Sequence, residues 1–156
     1  MFSLLQGDPL TPLPNSLGVV AGWGISNLNS SSGDPPLTSD PTLTSDPMLT
    51  SDLLQYVKLP VVTQDECEAS YASRSVSYNI TDNMFCAGFF QGGRDTCLGD
   101  SGGAFVMEDG VSRRWAVFGL VSWGGPEECG SQRVYGVYTR VSKYVEWIQQ
   151  QAAPWW

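Results

Sequence analysis

The residues best suited to chemistry stand together at 95–106, in the stretch DTCLGDSGGAFV. Ser101, inside the run Gly99-Asp100-Ser101-Gly102-Gly103, reads as a nucleophile presented on a turn. A serine hydroxyl is a weak nucleophile at neutral pH and needs an adjacent base to take its proton. The sequence contains no histidine, the side chain most often used for that purpose. The nucleophile and its base therefore have to be accounted for separately.

A length of 156 residues suits one ordinary domain or a piece of one. Its 17 glycines and 10 prolines favour many turns and short strands over long helices, so an all-β fold is expected. The 16 acidic and 8 basic side chains give a formal charge of -8, which repels phosphate backbones and anionic lipid. Nucleic acid and membrane surfaces are excluded as partners on that ground. No apolar run approaches the length of about 18 residues that spans a bilayer, and the opening MFSLLQGDPL lacks the basic region of a signal peptide. Cys67, Cys86, Cys97 and Cys129 are even in number and lack paired Cys-x-x-Cys spacing, so two disulfides are expected, in one of three pairings, and no metal. Asn29-Ser-Ser and Asn79-Ile-Thr match the N-glycosylation acceptor pattern. A chain of exported type without an export signal is expected to lack its front end.

Residues 1–16 read as a linker or as the end of a preceding barrel, and Leu17 to Trp23 as a short buried strand. Residues 25–52 contain Leu-Thr-Ser-Asp three times, beginning at Leu37, Leu43 and Leu49, and read as a low-complexity surface loop because Pro41 and Pro47 prevent stacking of so short a repeat. Strands are expected at 54–62, 84–88, 103–107, 115–122 and 134–140, with a short helix over 65–71 that contains Cys67. From Val141 the apolar residues Val141, Tyr144, Val145 and Ile148 recur at helical spacing and predict one amphipathic C-terminal helix. The expected domain spans 17–151 as an antiparallel Greek-key β-barrel closed by that helix, and 152–156 is a tail without an assigned role.

The nucleophile run also satisfies G-x-S-x-G, the pattern of α/β-hydrolases, in which the serine lies between a strand and a helix and a histidine follows in the chain. Here Cys97 and a turn precede Ser101 and a strand follows it, so that context is wrong. The stretch instead resembles the chymotrypsin/trypsin-like serine proteases. The resemblance runs through GWG at 22–24, CEASY at 67–71, ITDNMFCAGF at 80–89, residues 95–106, VSWG at 121–124 and GVYTRVSKYVEWI at 136–148. It covers nearly everything after residue 17, in the order of the second of that family's two barrels. Within the family, SWGGPEECG at 122–130 and LQYVKLPVV at 54–62 look most like the mannan-binding-lectin-associated proteases of complement.

The resemblance implies a role for each matching position. Ser101 would be the acylating nucleophile, and the backbone N–H groups of Gly99 and Ser101 the oxyanion hole, each such donor contributing about 3 kcal/mol to the transition state. Asp95 would lie at the floor of the primary specificity pocket and pair with substrate Arg or Lys. Gly124 and Gly136 would line that pocket, and Trp123 the substrate groove. Asp100 would receive the N-terminal amine freed by activation cleavage. The pairing Cys67–Cys86 and Cys97–Cys129 is implied, as is a weak sodium site near Tyr135. No cofactor is implied.

The family's histidine and its orienting aspartate belong to the first barrel, which would precede Met1. The expectation is a secreted, complement-type endopeptidase domain of which these residues are the C-terminal part, inactive alone. Its partners would be protein substrates with Arg or Lys at the cleavage site, the first barrel, upstream domains and protein inhibitors. The alternative is a non-catalytic half-domain that binds a partner or decoys an inhibitor.

Overall fold

A computed structural model describes residues 11–26, 50–72, 74, 78–110 and 113–152. Asn29, nearly all of the repeat-containing loop and residues 153–156 of the tail lie outside the described residues. The elements in chain order are strand β1 (Leu17–Gly22), β2 (Gln55–Pro60), helix α1 (Gln64–Ala72), β3 (Met84–Ala87), β4 (Ala104–Glu108), β5 (Trp115–Trp123), β6 (Gly136–Arg140), a 3-10 turn (Val141–Lys143) and helix α2 (Val145–Ala152). Mostly strand, with two short helices, this is the expected all-β class.

The six strands form one antiparallel sheet in the order β2-β1-β4-β5-β6-β3. β1 lies between β2, its neighbour in sequence, and β4, made much later; β3 pairs with β6. These jumps are the Greek-key crossovers. The two edges meet where Val61 bridges Ala87, the Gly88 amide donates to Pro60 and the Val62 amide donates to Cys86. The sheet thereby curls shut and hides the edge groups that would otherwise seek another chain.

Alternation along the strands fills the interior with Val20, Leu59, Phe85, Phe105, Met107, Phe118, Val121 and Tyr138. Rings of Phe85, Phe105 and Tyr138 pack at centroid distances of 5.0–5.4 Å. The space for them comes from glycine. A Cβ at Gly18 would run into the Phe105 ring, and one at Gly119 would sit 2.6 Å from the Phe85 ring. Full burial of a ring such as Phe105 contributes up to about 3 kcal/mol of transfer free energy.

Two expectations are corrected in detail. The last strand starts at Gly136, not at Val134, because its pairing ends at Ala87↔Gly136, beyond which the chain turns at Gly88 (φ 141°). Buried Tyr135 instead gives its carbonyl to the Tyr71 hydroxyl of α1, at 2.5 Å. The C-terminal helix is interrupted: Val141–Lys143 is a 3-10 turn, Tyr144 caps it, and the α-helix begins at Val145. Val141 is buried and Val145 and Ile148 are half-buried, but Tyr144 and Trp147 are exposed, so the helix rests lightly on the barrel.

Candidate active site

Ser101 follows a series of tight turns between Cys97 and β4. Gly99 (φ 96°) and Gly102 (φ 80°) occupy left-handed conformations on either side of it, a backbone path that side chains resist. Ser101 is exposed, and its side chain makes no hydrogen bond among the described residues. Three amides of the turn are already spent: Asp100 donates to Cys97, Gly102 to Val121 and Gly103 to Asp100, at 2.9–3.0 Å. Among the described residues, the amides of Gly99 and Ser101 donate to no protein acceptor. Two free N–H groups therefore flank an exposed hydroxyl.

The Asp100 carboxylate turns inward, where Oδ1 accepts from the Gly24 amide at 2.8 Å and Oδ2 from the Cys97 amide at 3.0 Å. This nest exists only because Gly22 and Gly24 lack side chains: a Cβ on either would run into the Asp100 carboxylate. Sequence reasoning found GWG as a match to the resemblance but not this duty. The contact joins positions far apart in the chain, so only the pattern of two glycines around a tryptophan hinted at it.

Asp95 is half-buried, and its carboxylate accepts from its neighbour Thr96 at 2.8 Å and from the Gly130 amide at 3.0 Å. Burial pushes its carboxyl pKa up, against the pull of those two amides, and nearby Asp100 adds to the rise. The two amides give Asp95 hydrogen bonds without a full positive charge. Gly136 stands against Asp95: a Cβ there would be 3.0 Å from Oδ1. A Cβ at Gly124 would meet nothing within 4 Å. Asp95 and Gly136 thus come together, with open space beside Gly124.

A cavity of about 380 Å³ is lined by Asp95, Asp100, Arg94, Gly24, Val20 and Val57 among others. Trp123, Gly124 and Gly136 do not line it. Both aspartates border this space, together with Arg94 and the strand residues Val20 and Val57.

Trp123 ends β5 just after an irregularity in the β5–β6 register, which re-aims the chain away from the barrel. Its half-buried ring stacks on Tyr78 (5.6 Å, 17°) and takes the edge of Tyr71 (5.2 Å, 63°). Arg74 lies over the Tyr71 ring at 4.5 Å and donates to Glu127 at 2.8 Å, which holds the Glu127 carboxyl pKa down. Sequence reasoning singled out Trp123 alone. Tyr71, Tyr78 and the Arg74–Glu127 pair come from segments brought together only by the fold.

Both disulfides form, Cys67–Cys86 between α1 and β3 and Cys97–Cys129 between the Ser101 turn and the segment carrying Gly130. The second ties the amide that holds Asp95 to the turn that holds Ser101. At Tyr135 the carbonyl accepts from Tyr71 and the hydroxyl donates to Glu66. Among the described residues no helix is long and apolar enough to cross a membrane.

The structure thus sets a glycine-framed, exposed serine on a closed antiparallel barrel braced by two disulfides. The chain matches the Trypsin family over residues 9–148 and belongs to it. It is similar to clotting factor C of Tachypleus tridentatus and Limulus clotting factor C of Carcinoscorpius rotundicauda, each 37% identical over 137 residues, which is 86% of this chain and 12% of the relative. It is also 47% identical over 95 residues to coagulation factor IX of Cavia porcellus, covering 61% of this chain and 30% of that one. The chain thus spans well under half the length of these relatives. They are clotting proteins, and the likeness to complement proteases in particular is not among these findings.

Proposed function

We propose that these residues supply the nucleophile, oxyanion donors and specificity pocket of a secreted endopeptidase that cleaves after Arg or Lys. The observation that carries the reading is exposed Ser101 between two unspent amides, with the Asp95 carboxylate on the same disulfide-tied turn. Ser101 attacks the scissile carbonyl, and the Gly99 and Ser101 amides take the charge that develops on its oxygen. Asp95, with Gly136 against it and open space at Gly124, receives the guanidinium or ammonium of the residue before the cleaved bond. Trp123 lines the groove beside it.

The base comes from outside these 156 residues, since none of them is histidine and Ser101 has no side-chain partner among the described residues. Asp100 acts in activation. The cavity of about 380 Å³ beside it, bordered by the Asp100 and Asp95 carboxylates and by Val20 and Val57, would take an N-terminal ammonium with an aliphatic side chain. The clotting relatives and the likeness of residues 54–62 and 122–130 to complement proteases both fit service in an extracellular proteolytic cascade.

An active-site fluorophosphonate tests the division of labour. The 156-residue chain should not label at Ser101, and a longer form carrying the histidine-bearing first barrel should label strongly after activation cleavage. Robust labelling of the short chain would refute the external base.

A further inference from the structure

Asn79 is exposed, Ile80 is buried and Thr81 is half-buried, in a stretch that is neither helix nor strand. Ile80 packs into a core cluster with Tyr71, Val137 and the Cys67–Cys86 disulfide. The Thr81 carbonyl is held by the Met84 amide at 2.9 Å and the Gln64 side chain at 3.3 Å. With Ile80 buried and Asn79 exposed, the acceptor pattern Asn79-Ile80-Thr81 is pinned to the barrel with its asparagine in solvent. On the other side, Asn79 follows Tyr78, whose ring covers Trp123.

We propose that Asn79 carries an N-linked glycan, and that the glycan screens the Trp123 end of the groove from bulky protein surfaces while leaving it open to a slender peptide. In the modification, the Asn79 amide nitrogen bonds to the anomeric carbon of a lipid-pyrophosphate-linked oligosaccharide. The carbon–oxygen bond to pyrophosphate breaks, the lipid pyrophosphate leaves and the amide nitrogen loses one proton; nothing is oxidised or reduced. The glycan is bulky and strongly hydrated. Ile80 and the disulfide fix its root, and one peptide link separates that root from the ring stacked on Trp123. The screening role rests on the protease reading for its meaning, but the modification does not.

The test uses the full chain secreted from eukaryotic cells. The peptide containing residue 79 should carry a glycan removable by peptide:N-glycosidase, absent from Asn79→Gln and Thr81→Ala and retained in Thr81→Ser. An unmodified Asn79 overturns the proposal. Gly124→Cys, placed where a side chain meets open space, then reports access to the groove. A small maleimide should react equally with and without the glycan, and a maleimide on a large polymer several-fold more slowly when the glycan is present. Equal rates for the large reagent would remove the screen and leave the protease reading standing. A longer, activated form that fails to cleave any arginyl peptide would remove that reading and leave the screen.

Discussion

At the scale of single residues, the Asp100 nest makes a sharp demand on Gly24. A methyl group there collides with the carboxylate, which must then give up the Gly24 amide or shift the turn that bears Ser101. Gly24→Ala should cost about 1–3 kcal/mol, as overpacking does, measured as a lower denaturation midpoint. Tyr71 makes a demand of a different kind. Burial lifts its phenol to about 12, and it donates to the Tyr135 carbonyl. The fold holds the proton where the unfolded chain, ionising near 10, releases it, so the unfolded state binds fewer protons and stability falls as pH rises from about 10 towards 12. Tyr71→Phe should be less stable by about 1–3 kcal/mol below that window, from the carbonyl left without its donor. Its stability should also fall less steeply across the window, as pH-dependent urea titrations would show. Of these groups, Ser101, Asp95 and Asp100 were legible in the sequence because a short motif carries them. The service of Gly24 and Tyr71 was not, since each acts on a residue far along the chain.

At the scale of elements, the two disulfides have separate duties. Cys67–Cys86 fastens α1 to β3 across 19 residues, and Cys97–Cys129 fastens the Ser101 turn to the Gly130 segment across 32. On the loop-entropy model their removal costs about 3 and about 4 kcal/mol. The double variant Cys97→Ala/Cys129→Ala should therefore lower the denaturation midpoint somewhat more than Cys67→Ala/Cys86→Ala. Strand positions were readable to within a residue or two because apolar alternation and flanking glycines mark them. The start of β6 and the break at Tyr144 were not, because tertiary contacts set both. Val134 and Tyr135 are as apolar as the strand they precede, and periodicity alone cannot separate the 3-10 turn from the helix after it.

At the scale of the molecule, the barrel leaves Leu17, Trp23, Leu53, Leu54, Tyr56 and Leu98 more than half exposed. Exposed apolar side chains in this number favour association. The isolated chain should self-associate as its concentration rises, more strongly in high salt, where the charge of -8 is screened; sedimentation of a salt-insensitive monomer would contradict this. The order of pairing in the sheet also has a consequence for biosynthesis. β1 and β2 can meet early, but β3 has no strand partner until residues 136–140 exist, and β1 waits for β4 on its other side. A nascent chain leaving the ribosome should therefore leave Val20 open to chaperones until β4 emerges and Phe85 until β6 emerges.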